Sequence, residues 1–263
     1  MDLSGATVLV TGANRGIGRA IAEALAREPL ELLLCGMRSP DRFEPIAGVT
    51  AREVRAVPLE LGSRDAIEES CAGLGDDLGE LDLLVNNAGL VTGGLLEDQE
   101  LDAIYAMFQV NLAGLVHLTR RVLPGMLERR RGKIVNNASV SGYAFFPAAS
   151  TYAASKAGVV AFSESLRREL KGTGVSTLHL VTPGVNTEML EATEAAYGRY
   201  LDTSGWQREE PAEWARKVVE AIRDDRTVLG PGGKTALAKL ASRGPGLLLD
   251  RVSDRIFSRE PRP

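Results

Sequence analysis

The 263-residue sequence is poor in cysteine and histidine, and these shortages exclude several kinds of site. Two cysteines, Cys35 and Cys71, are too few for a disulfide framework or a cysteine-rich zinc site. The two histidines, His117 and His179, argue against a histidine metal cluster, and we expect no metal. Both histidines are expected to have structural roles.

The sequence also lacks a basic excess and a long apolar run. Its 31 Lys and Arg residues face 35 Asp and Glu residues, for a net charge of −4, which argues against a nucleic-acid partner. No apolar run approaches the roughly 18 residues of a membrane span, and no signal peptide precedes the first strand candidate. We therefore expect a cytoplasmic protein. Its C-terminal tail is expected to pack on the domain or a second subunit rather than on a membrane surface.

What the sequence does contain is a regular alternation of short apolar segments and longer amphipathic ones. The short segments are nearly continuous Val, Leu and Ile, as in strands buried on both faces of a parallel sheet. The alternation predicts an α/β fold of Rossmann type, a doubly wound parallel sheet of about seven strands with helices on both faces. No linker divides the chain, so residues 1–263 are expected to form a single dinucleotide-binding and catalytic domain, with a helical extension over residues 231–263.

The boundaries follow from the same pattern. The predicted strands are Ala6–Thr11, Leu30–Gly36, Arg52–Pro58, Leu81–Asn86, Lys133–Ala138, Val175–Val181 and Thr227–Leu229. The predicted helices are Gly16–Arg27, Arg64–Leu78, Glu97–Arg129, Ser150–Lys171, Pro211–Arg223 and Thr235–Phe257.

A glycine-rich turn, TGANRGIG over residues 11–18, follows the first strand candidate and opens the first helix candidate. Glycines there let the backbone turn sharply and approach a ligand, and free N–H groups at the helix start then face a pyrophosphate. The spacing differs from the general G-x-G-x-x-G pattern, and a tight turn without a ligand is the alternative. The predicted dinucleotide contacts of this turn are Gly12, Asn14, Gly16, Ile17 and Gly18.

The residues after the second strand favour NADP(H) over NAD(H). Where NAD sites carry an acidic residue about 20 positions past the glycines, this sequence has Met37 and Arg38. Arg38 and Arg15 offer guanidinium groups to a 2′-phosphate, and each charge-assisted contact contributes roughly 1.5–3 kcal/mol. The alternatives are that both arginines are surface residues, and that Asp41 holds the ribose of NAD.

A serine, a tyrosine and a lysine form the candidate catalytic set. Tyr152 and Lys156 stand four apart in a predicted helix and so share one face. A nearby ammonium favours phenolate, lowers the phenol pKa from about 10 and allows proton exchange with a substrate oxygen near neutral pH. Ser139 ends a predicted strand, and its hydroxyl suits a carbonyl oxygen that gains negative charge. Ser141 is a competing hydroxyl.

From about residue 4 to residue 230 the sequence resembles the short-chain dehydrogenase/reductase family. The shared motifs are the turn of Gly12, Gly16 and Gly18, the run Asn86-Asn87-Ala88-Gly89, Asn111, the set of Ser139, Tyr152 and Lys156, and the pair Pro183-Gly184. The resemblance implies hydride transfer between C4 of a nicotinamide and a carbonyl or carbinol carbon. It implies that Tyr152 is the general acid or base, and that Lys156 lowers its pKa and binds the nicotinamide ribose. It also implies that Ser139 polarises the substrate oxygen and that Asn111 links Lys156 to solvent through a water molecule.

The resemblance extends to further contacts and includes some departures. Arg15 and Arg38 stand where the family has basic residues that accompany NADP(H). Glu60 replaces the usual adenine-contacting Asp, Thr187 follows the Pro-Gly pair by a shortened loop, and Asn136-Asn137-Ala138 replaces a hydrophobic-Ser run. The resemblance also implies a homodimer or homotetramer, because the long helices predicted over Glu97–Arg129 and Ser150–Lys171 correspond to the family's usual dimer faces. The implied cofactor contacts are Gly12, Asn14, Arg15, Gly16, Ile17, Gly18, Arg38, Glu60, Leu61, Asn87, Ala88, Gly89, Tyr152, Lys156, Pro183, Gly184, Val185 and Thr187.

The segments after Gly89, Ser139 and Pro183 predict an apolar pocket suited to a hydrophobic ketone, aldehyde or secondary alcohol. The predicted substrate contacts are Ser139, Val140, Tyr143, Phe145, Tyr152 and Met189, and a wider set adds Leu90, Val91, Phe146, Leu190, Tyr197, Tyr200 and Trp206. The sequence thus predicts an NADP(H)-dependent carbonyl reductase for a small-molecule substrate. The alternatives are an NAD-dependent alcohol dehydrogenase of the same family and a nucleotide-sensing regulatory protein without turnover.

Overall fold

The computed structural model describes residues 1–204, 206, 208–230, 255, 257 and 258. Its strands, in chain order, are β1 (Thr7–Thr11), β2 (Leu32–Met37), β3 (Glu53–Pro58), β4 (Leu83–Asn86), β5 (Gly132–Asn137), β6 (Val175–Leu180), β7 (Gly184–Val185), β8 (Arg208–Glu209) and β9 (Val228–Leu229). Seven of them form one parallel sheet in the order β3-β2-β1-β4-β5-β6-β9. The doubly wound parallel sheet predicted from the sequence is confirmed, and all seven predicted strands belong to it.

Helices cover both faces of this sheet. They are α1 (Gly16–Ala26), α2 (Arg64–Leu74), α3 (Asp76–Gly79), α4 (Leu101–Phe108), α5 (Leu115–Glu128), α6 (Ser150–Glu169), α7 (Glu188–Tyr197) and α8 (Pro211–Arg223). Side chains alternate across each strand, so Val8 and Val10 of β1 pack with α1 and α8, whereas Leu9 packs with α2 and α5 on the other face. Two apolar cores result, one on each side of the sheet.

Two of the predicted helices are divided. The stretch predicted over Glu97–Arg129 contains a 3₁₀ turn (Leu96–Asp98), then α4, a π-helical turn (Gln109–Gly114) and α5. The stretch predicted over Arg64–Leu78 breaks at Gly75, whose φ of +55° ends α2 before the short α3.

The segment after β6 was not predicted from the sequence. It contains β7, α7 and β8, and β7 pairs with β8 in a separate two-stranded sheet. The predicted C-terminal helix lies outside the described residues, apart from residues 255 and 257. Phe257 forms an isolated antiparallel bridge with Leu201.

The helical stretch Leu101–Glu128 is more apolar than the run-length argument suggested. Polar residues interrupt it, yet the mean hydropathy of an 18-residue window within it reaches 1.3, and by length and composition alone the stretch could cross a membrane. Only 28% of the residues in that window are buried. Leu118 and Val122 pack on the sheet, whereas Leu101 and Tyr105 are exposed. The stretch therefore covers the sheet with one face and leaves apolar side chains on the other.

Candidate active site

A cavity of about 1180 Å³ opens at the carboxyl ends of β1, β4, β5 and β6. The strand order reverses between β1 and β4, which is where open α/β sheets bind ligands. Every residue that the sequence predicted to contact the cofactor lines this cavity. A second cavity, of about 830 Å³, lies beside Asp82, Arg131 and Asp225 and is lined by none of the predicted site residues.

The glycine turn forms one wall of the cavity, and its shape requires glycine. Gly12 has a φ of +67°, and a Cβ there would lie 3.0 Å from Cα of Ala88. A Cβ on Gly18 would lie 2.2 Å from the carbonyl oxygen of Gly12. Arg15 forms no side-chain cap on α1 among the described residues, so the N–H groups at the helix start face the cavity without a capping oxygen. This cradle fits a pyrophosphate.

Basic side chains line the cavity near the end of β2. Arg38 is exposed and forms no ion pair within the part of the chain that the structure describes. Arg15 forms an ion pair with Glu188, at the start of α7, and both side chains are about 70% exposed (67% and 71%). Arg42 also lines this end, whereas Asp41 does not.

Glu60 lies at the same cavity, where the resemblance implied an adenine contact. Its Oε1 accepts a hydrogen bond from the Gly62 N–H at 2.8 Å, which fixes the carboxylate over its own loop.

Three groups of the candidate catalytic set meet in the cavity. Tyr152 and Lys156 lie in the first two turns of α6, and Ser139 follows β5. Burial raises the pKa of Tyr152 to about 12, and a hydrogen bond from Ser139 opposes this rise. Burial lowers the pKa of Lys156 to about 8. Ser139 Oγ also accepts a hydrogen bond from the Ser141 N–H at 3.1 Å, so the competing hydroxyl belongs to the same turn.

The lysine is arranged differently from the expectation. Its Nζ donates to the carbonyl oxygen of Asn137 at 2.8 Å and lies 5.8 Å from the centroid of the Tyr152 ring. The predicted lowering of the phenol pKa by Lys156 is not seen in this structure, because burial is the largest influence on both groups.

Asn111 lies behind the cavity wall rather than in the cavity. It sits in the π-helical turn and is 1% exposed. Its Oδ1 accepts from the Leu90 N–H at 2.7 Å, and its Nδ2 donates to the Leu90 carbonyl at 2.9 Å and to Ser155 Oγ at 3.1 Å. These bonds hold the loop after β4 against α6. The water link to Lys156 stays a prediction.

A chain of side-chain hydrogen bonds crosses the floor of the cavity, and sequence reasoning missed it. Thr182 Oγ1 donates to Asn137 Oδ1 at 2.5 Å, Asn137 Nδ2 donates to Asn87 Oδ1 at 2.9 Å, and Asn87 Nδ2 donates to the Thr11 carbonyl at 3.1 Å. We call these four residues the amide bridge. The unusual Asn137 was the available signal, since a polar residue replaced an expected apolar one.

The substrate side differs from the prediction at two aromatic residues. Ser139, Val140, Tyr152 and Met189 line the cavity, but Tyr143 and Phe145 do not. Tyr143 is 7% exposed and its hydroxyl bonds His179 Nε2 at 2.8 Å, so it belongs to the core. Phe145 is 56% exposed on the outer surface. From the wider set, Val91 and Tyr200 are also outside, while the lining includes Leu90, Phe146, Leu190, Tyr197 and Trp206.

Tyr197 forms a fixed wall of this cavity. Its hydroxyl donates to the Thr92 carbonyl at 3.2 Å, and its ring packs edge-on against Trp206 with centroids 6.3 Å apart. A Cβ on Gly93 would lie 1.8 Å from the Tyr197 ring, so only glycine permits this contact. The wall is therefore held by α7 on one side and by the loop after β4 on the other.

Comparisons with known proteins agree with this geometry. A model of the short chain dehydrogenase family matches residues 6–198. The ketoacyl reductase HetN of Nostoc sp. is 34% identical over 229 residues, 86% of this chain and 78% of its own. The 3-oxoacyl-[acyl-carrier-protein] reductase FabG of Haemophilus influenzae is 35% identical over 226 residues, 85% of this chain and 93% of its own.

Solved structures give the same result for the fold. A short-chain dehydrogenase from Streptomyces avermitilis superposes with a TM-score of 0.78 at 26% identity, covering 97% of this chain and 99% of the other. A short-chain dehydrogenase from Sphingobium yanoikuyae in complex with NADPH gives a TM-score of 0.74 at 26% identity, covering 95% and 96%.

Proposed function

The chain belongs to the short-chain dehydrogenase family and is an oxidoreductase of that family, and from this premise we propose that it is an NADP(H)-dependent reductase of hydrophobic carbonyl compounds. The observation that carries the proposal is the meeting of Ser139, Tyr152 and Lys156 in one cavity with the glycine cradle. The relatives named as ketoacyl and 3-oxoacyl reductases support the carbonyl substrate class.

The preference for NADP(H) is supported by charge. Arg38 lies at the cavity without an ion pair among the described residues, and Arg15 lines the same cavity, so both can offer a guanidinium group to a 2′-phosphate. Asp41, the residue that would favour NAD, does not line the cavity. A neighbouring structure at 26% identity holds NADPH.

The proposed mechanism is general acid catalysis by the tyrosine. NADPH, when bound, would supply the hydride. Tyr152, whose raised pKa of about 12 keeps it protonated at neutral pH, donates its proton to the substrate oxygen. Ser139 donates a hydrogen bond to the same oxygen as negative charge develops there. Lys156, with a pKa of about 8, is mostly charged at pH 7 and would hold the nicotinamide ribose of the bound cofactor.

The cavity lining, the outer face of α4 and the state of the cysteines support the proposed substrate class, assembly and compartment, respectively. Apolar side chains, among them Val140, Phe146 and Met189, line the cavity beyond Tyr152 and support a hydrophobic ketone or aldehyde. The exposed apolar face of α4, with Leu101 and Tyr105, supports a homodimer or homotetramer. The two cysteines are free and buried, which supports a reducing compartment such as the cytoplasm.

Titration of the purified protein with NADPH and with NADH, followed by nucleotide fluorescence, tests the proposal without a known substrate. We expect NADPH to bind at least about tenfold more tightly, because a charge-assisted contact contributes roughly 1.5–3 kcal/mol. Arg38→Ala should remove most of this preference and leave the NADH affinity within about twofold. Arg27→Ala is the matched control, because Arg27 directly follows α1 and lies outside the cavity.

The alternatives predict other results. Equal or tighter binding of NADH by the wild type would overturn the cofactor assignment and point to NAD-dependent alcohol oxidation. Tight NADPH binding without reduction of any ketone or aldehyde in a broad panel would favour the nucleotide-sensing alternative.

A further inference from the structure

Asn137, the last residue of β5, lies at the centre of the amide bridge. The donor and acceptor roles in the amide bridge are fixed by the backbone carbonyl of Thr11, at one end of this series of hydrogen bonds. The Thr11 carbonyl can only accept, so Asn87 must turn its NH₂ toward Thr11 and its oxygen toward Asn137. Asn137 must then donate to Asn87 and accept from Thr182. Both polar atoms of the Asn137 side chain are therefore occupied.

The backbone carbonyl of the same residue holds the catalytic lysine. Lys156 Nζ donates to it at 2.8 Å, and the ammonium has no other hydrogen bond and no carboxylate partner among the described residues. Lys156 is itself buried. A buried ammonium without a counter-ion depends on the few hydrogen bonds that it makes. The position of this carbonyl thus determines where Nζ lies.

Asn137 is also the point at which the sheet stops holding the backbone. β5 ends at this residue, and the Ala138 N–H already turns back to the Asn136 carbonyl at 3.1 Å. Bonds from Asn87 and Thr182 therefore fix the peptide where its own strand ends. Asn87 and Thr182 follow β4 and β6, so the clamp spans both neighbours of β5.

We propose that Asn137 is a positioning residue: its side chain, clamped between Asn87 and Thr182, fixes its carbonyl oxygen so that Lys156 Nζ stays beside Tyr152 in the cavity. The inference rests on the proposed function, which gives Lys156 and Tyr152 their roles. Asn137 contacts Lys156 through its carbonyl oxygen but takes no part in the proton or hydride transfer.

The preceding residue provides a matched control. Asn136 is buried on the opposite face of β5, where its Oδ1 accepts from Asn86 Nδ2 and its Nδ2 donates to Ser163 Oγ, both at 2.9 Å. It has the same side chain and the same number of side-chain hydrogen bonds, but it does not line the cavity. Asn136→Leu therefore reproduces the chemical change and its cost in stability without disturbing the clamp.

A double-mutant cycle separates positioning from a merely structural role. NADPH dissociation constants are measured for Asn137→Leu, Lys156→Met and the double variant, with kcat for a ketone alongside. We expect Asn137→Leu to weaken NADPH binding about fivefold in the wild-type background and by less than twofold once Lys156 is absent. Asn136→Leu should change binding by less than twofold in both backgrounds. The same factor for Asn137→Leu in both backgrounds, or an equal effect of Asn136→Leu, would overturn the proposal.

Two further measurements keep the test decisive. If Asn137→Leu does not fold, Thr182→Val removes one bond of the clamp and should give a smaller loss of NADPH binding that again disappears with Lys156→Met. Acetylation of Lys156 by acetic anhydride, followed by peptide mass spectrometry, needs no cofactor. Its rate should rise at least about fivefold in Asn137→Leu and stay unchanged in Asn136→Leu, with the buried Lys133 as internal standard. If the wild type bound neither dinucleotide, the proposed function would fail, and an unchanged labelling rate would separately refute the role of Asn137.

Discussion

The carboxyl edge of the sheet and the segment that covers it, residues 184–204, 206 and 208–210, differ in the contacts that hold them. At the edge, the buried Thr182 and Asn137, the half-buried Asn87 and the Thr11 carbonyl form hydrogen bonds of 2.5 to 3.1 Å. In the cover, Tyr197, Tyr200 and Leu201 pack in a small apolar cluster. Ion pairs such as Arg208 with Glu194 at 2.7 Å lie nearer the surface, where each contributes only about 0–1 kcal/mol.

The site needs a fixed geometry for proton transfer and a cavity wall that suits its substrate, and the two regions serve these needs separately. Leaving a buried polar group without its partner costs about 1–3 kcal/mol, so the hydrogen-bonded groups of the edge have one stable arrangement. Proton transfer requires such a fixed arrangement. The cover carries Tyr197, Met189 and Glu188 on α7, and substituting these side chains removes no hydrogen bond of the amide bridge. We therefore expect variants of the edge to affect the chemical step and variants of the cover to affect selectivity.

The largest effect is expected from Tyr152→Phe, in the catalytic set that lies against the edge. Removing the phenolic proton should lower kcat by about 10²–10⁴ while NADPH affinity stays within about twofold. Steady-state kinetics and fluorescence titration measure the two quantities. Tyr143→Phe is the control, because its hydroxyl bonds His179 in the core and its loss should leave kcat nearly unchanged. Wild-type turnover by Tyr152→Phe would contradict the mechanism.

The second prediction concerns the free energy of unfolding and depends on Lys156, which bonds the Asn137 carbonyl at the edge. Lys156 is buried and has no counter-ion in the described part of the chain, and its pKa falls from 10.5 to about 8 on folding. The unfolded chain therefore binds the proton more tightly than the folded one, which destabilises the fold below about pH 8 and ceases to do so above about pH 10.5. Lys156→Met should raise the free energy of unfolding by up to about 3 kcal/mol at pH 7, with a smaller gain at pH 10.

Urea unfolding at several pH values checks this prediction, and the other buried lysine provides the contrast. Lys133 is fully buried but pairs with Asp225 at 2.5 Å, so Lys133→Met should not stabilise the protein. An equal gain for both variants would mean that the missing counter-ion is not the cause.

In the cover, Tyr197→Ala should change selectivity. Removing this ring enlarges the cavity beside Tyr152, so kcat/KM for a bulky ketone should rise relative to a small one by about tenfold, or about 1.4 kcal/mol. A panel of ketones that differ in size measures the ratio. Tyr200→Ala removes an equal ring from outside the cavity and should leave the ratio unchanged.

The smallest effect is expected where the cover meets the glycine turn. Glu188→Gln frees Arg15 from its surface ion pair, so NADPH should bind about two- to fivefold more tightly while NADH affinity stays the same. The difference should shrink in high salt, because the charges are exposed. Glu191→Gln, in the same first turn of α7 but outside the cavity, is the control. Weaker NADPH binding by Glu188→Gln would show that Glu188 orients Arg15 rather than competes for it.

The strands and the glycine cradle of the edge were predictable from the sequence, whereas the amide bridge, the internal breaks of the long helix and the cover were not. Continuous apolar runs and the glycine turn report local requirements, so the strands and the cradle of Gly12 and Gly18 follow directly from them. The break of the long helix into α4, a π-helical turn and α5 leaves the local hydrophobic pattern almost unchanged and so is hard to detect. The orientation of Tyr143 toward His179 depends on how a loop packs on β6, which no local pattern encodes.

For α7 a signal was present. Thr187 caps the helix by accepting from the Leu190 N–H, and the residues that follow are good helix formers.

The amide bridge also has a consequence for the order of folding. Its four residues, Thr11, Asn87, Asn137 and Thr182, come from segments far apart in the sequence, and each follows or ends a different strand. Contacts of such large sequence separation form only after several loops have closed, so the bridge belongs to the last contacts made. The polypeptide thus completes its reactive centre only once the four central strands are in register, and an incompletely folded chain has no place to hold Lys156.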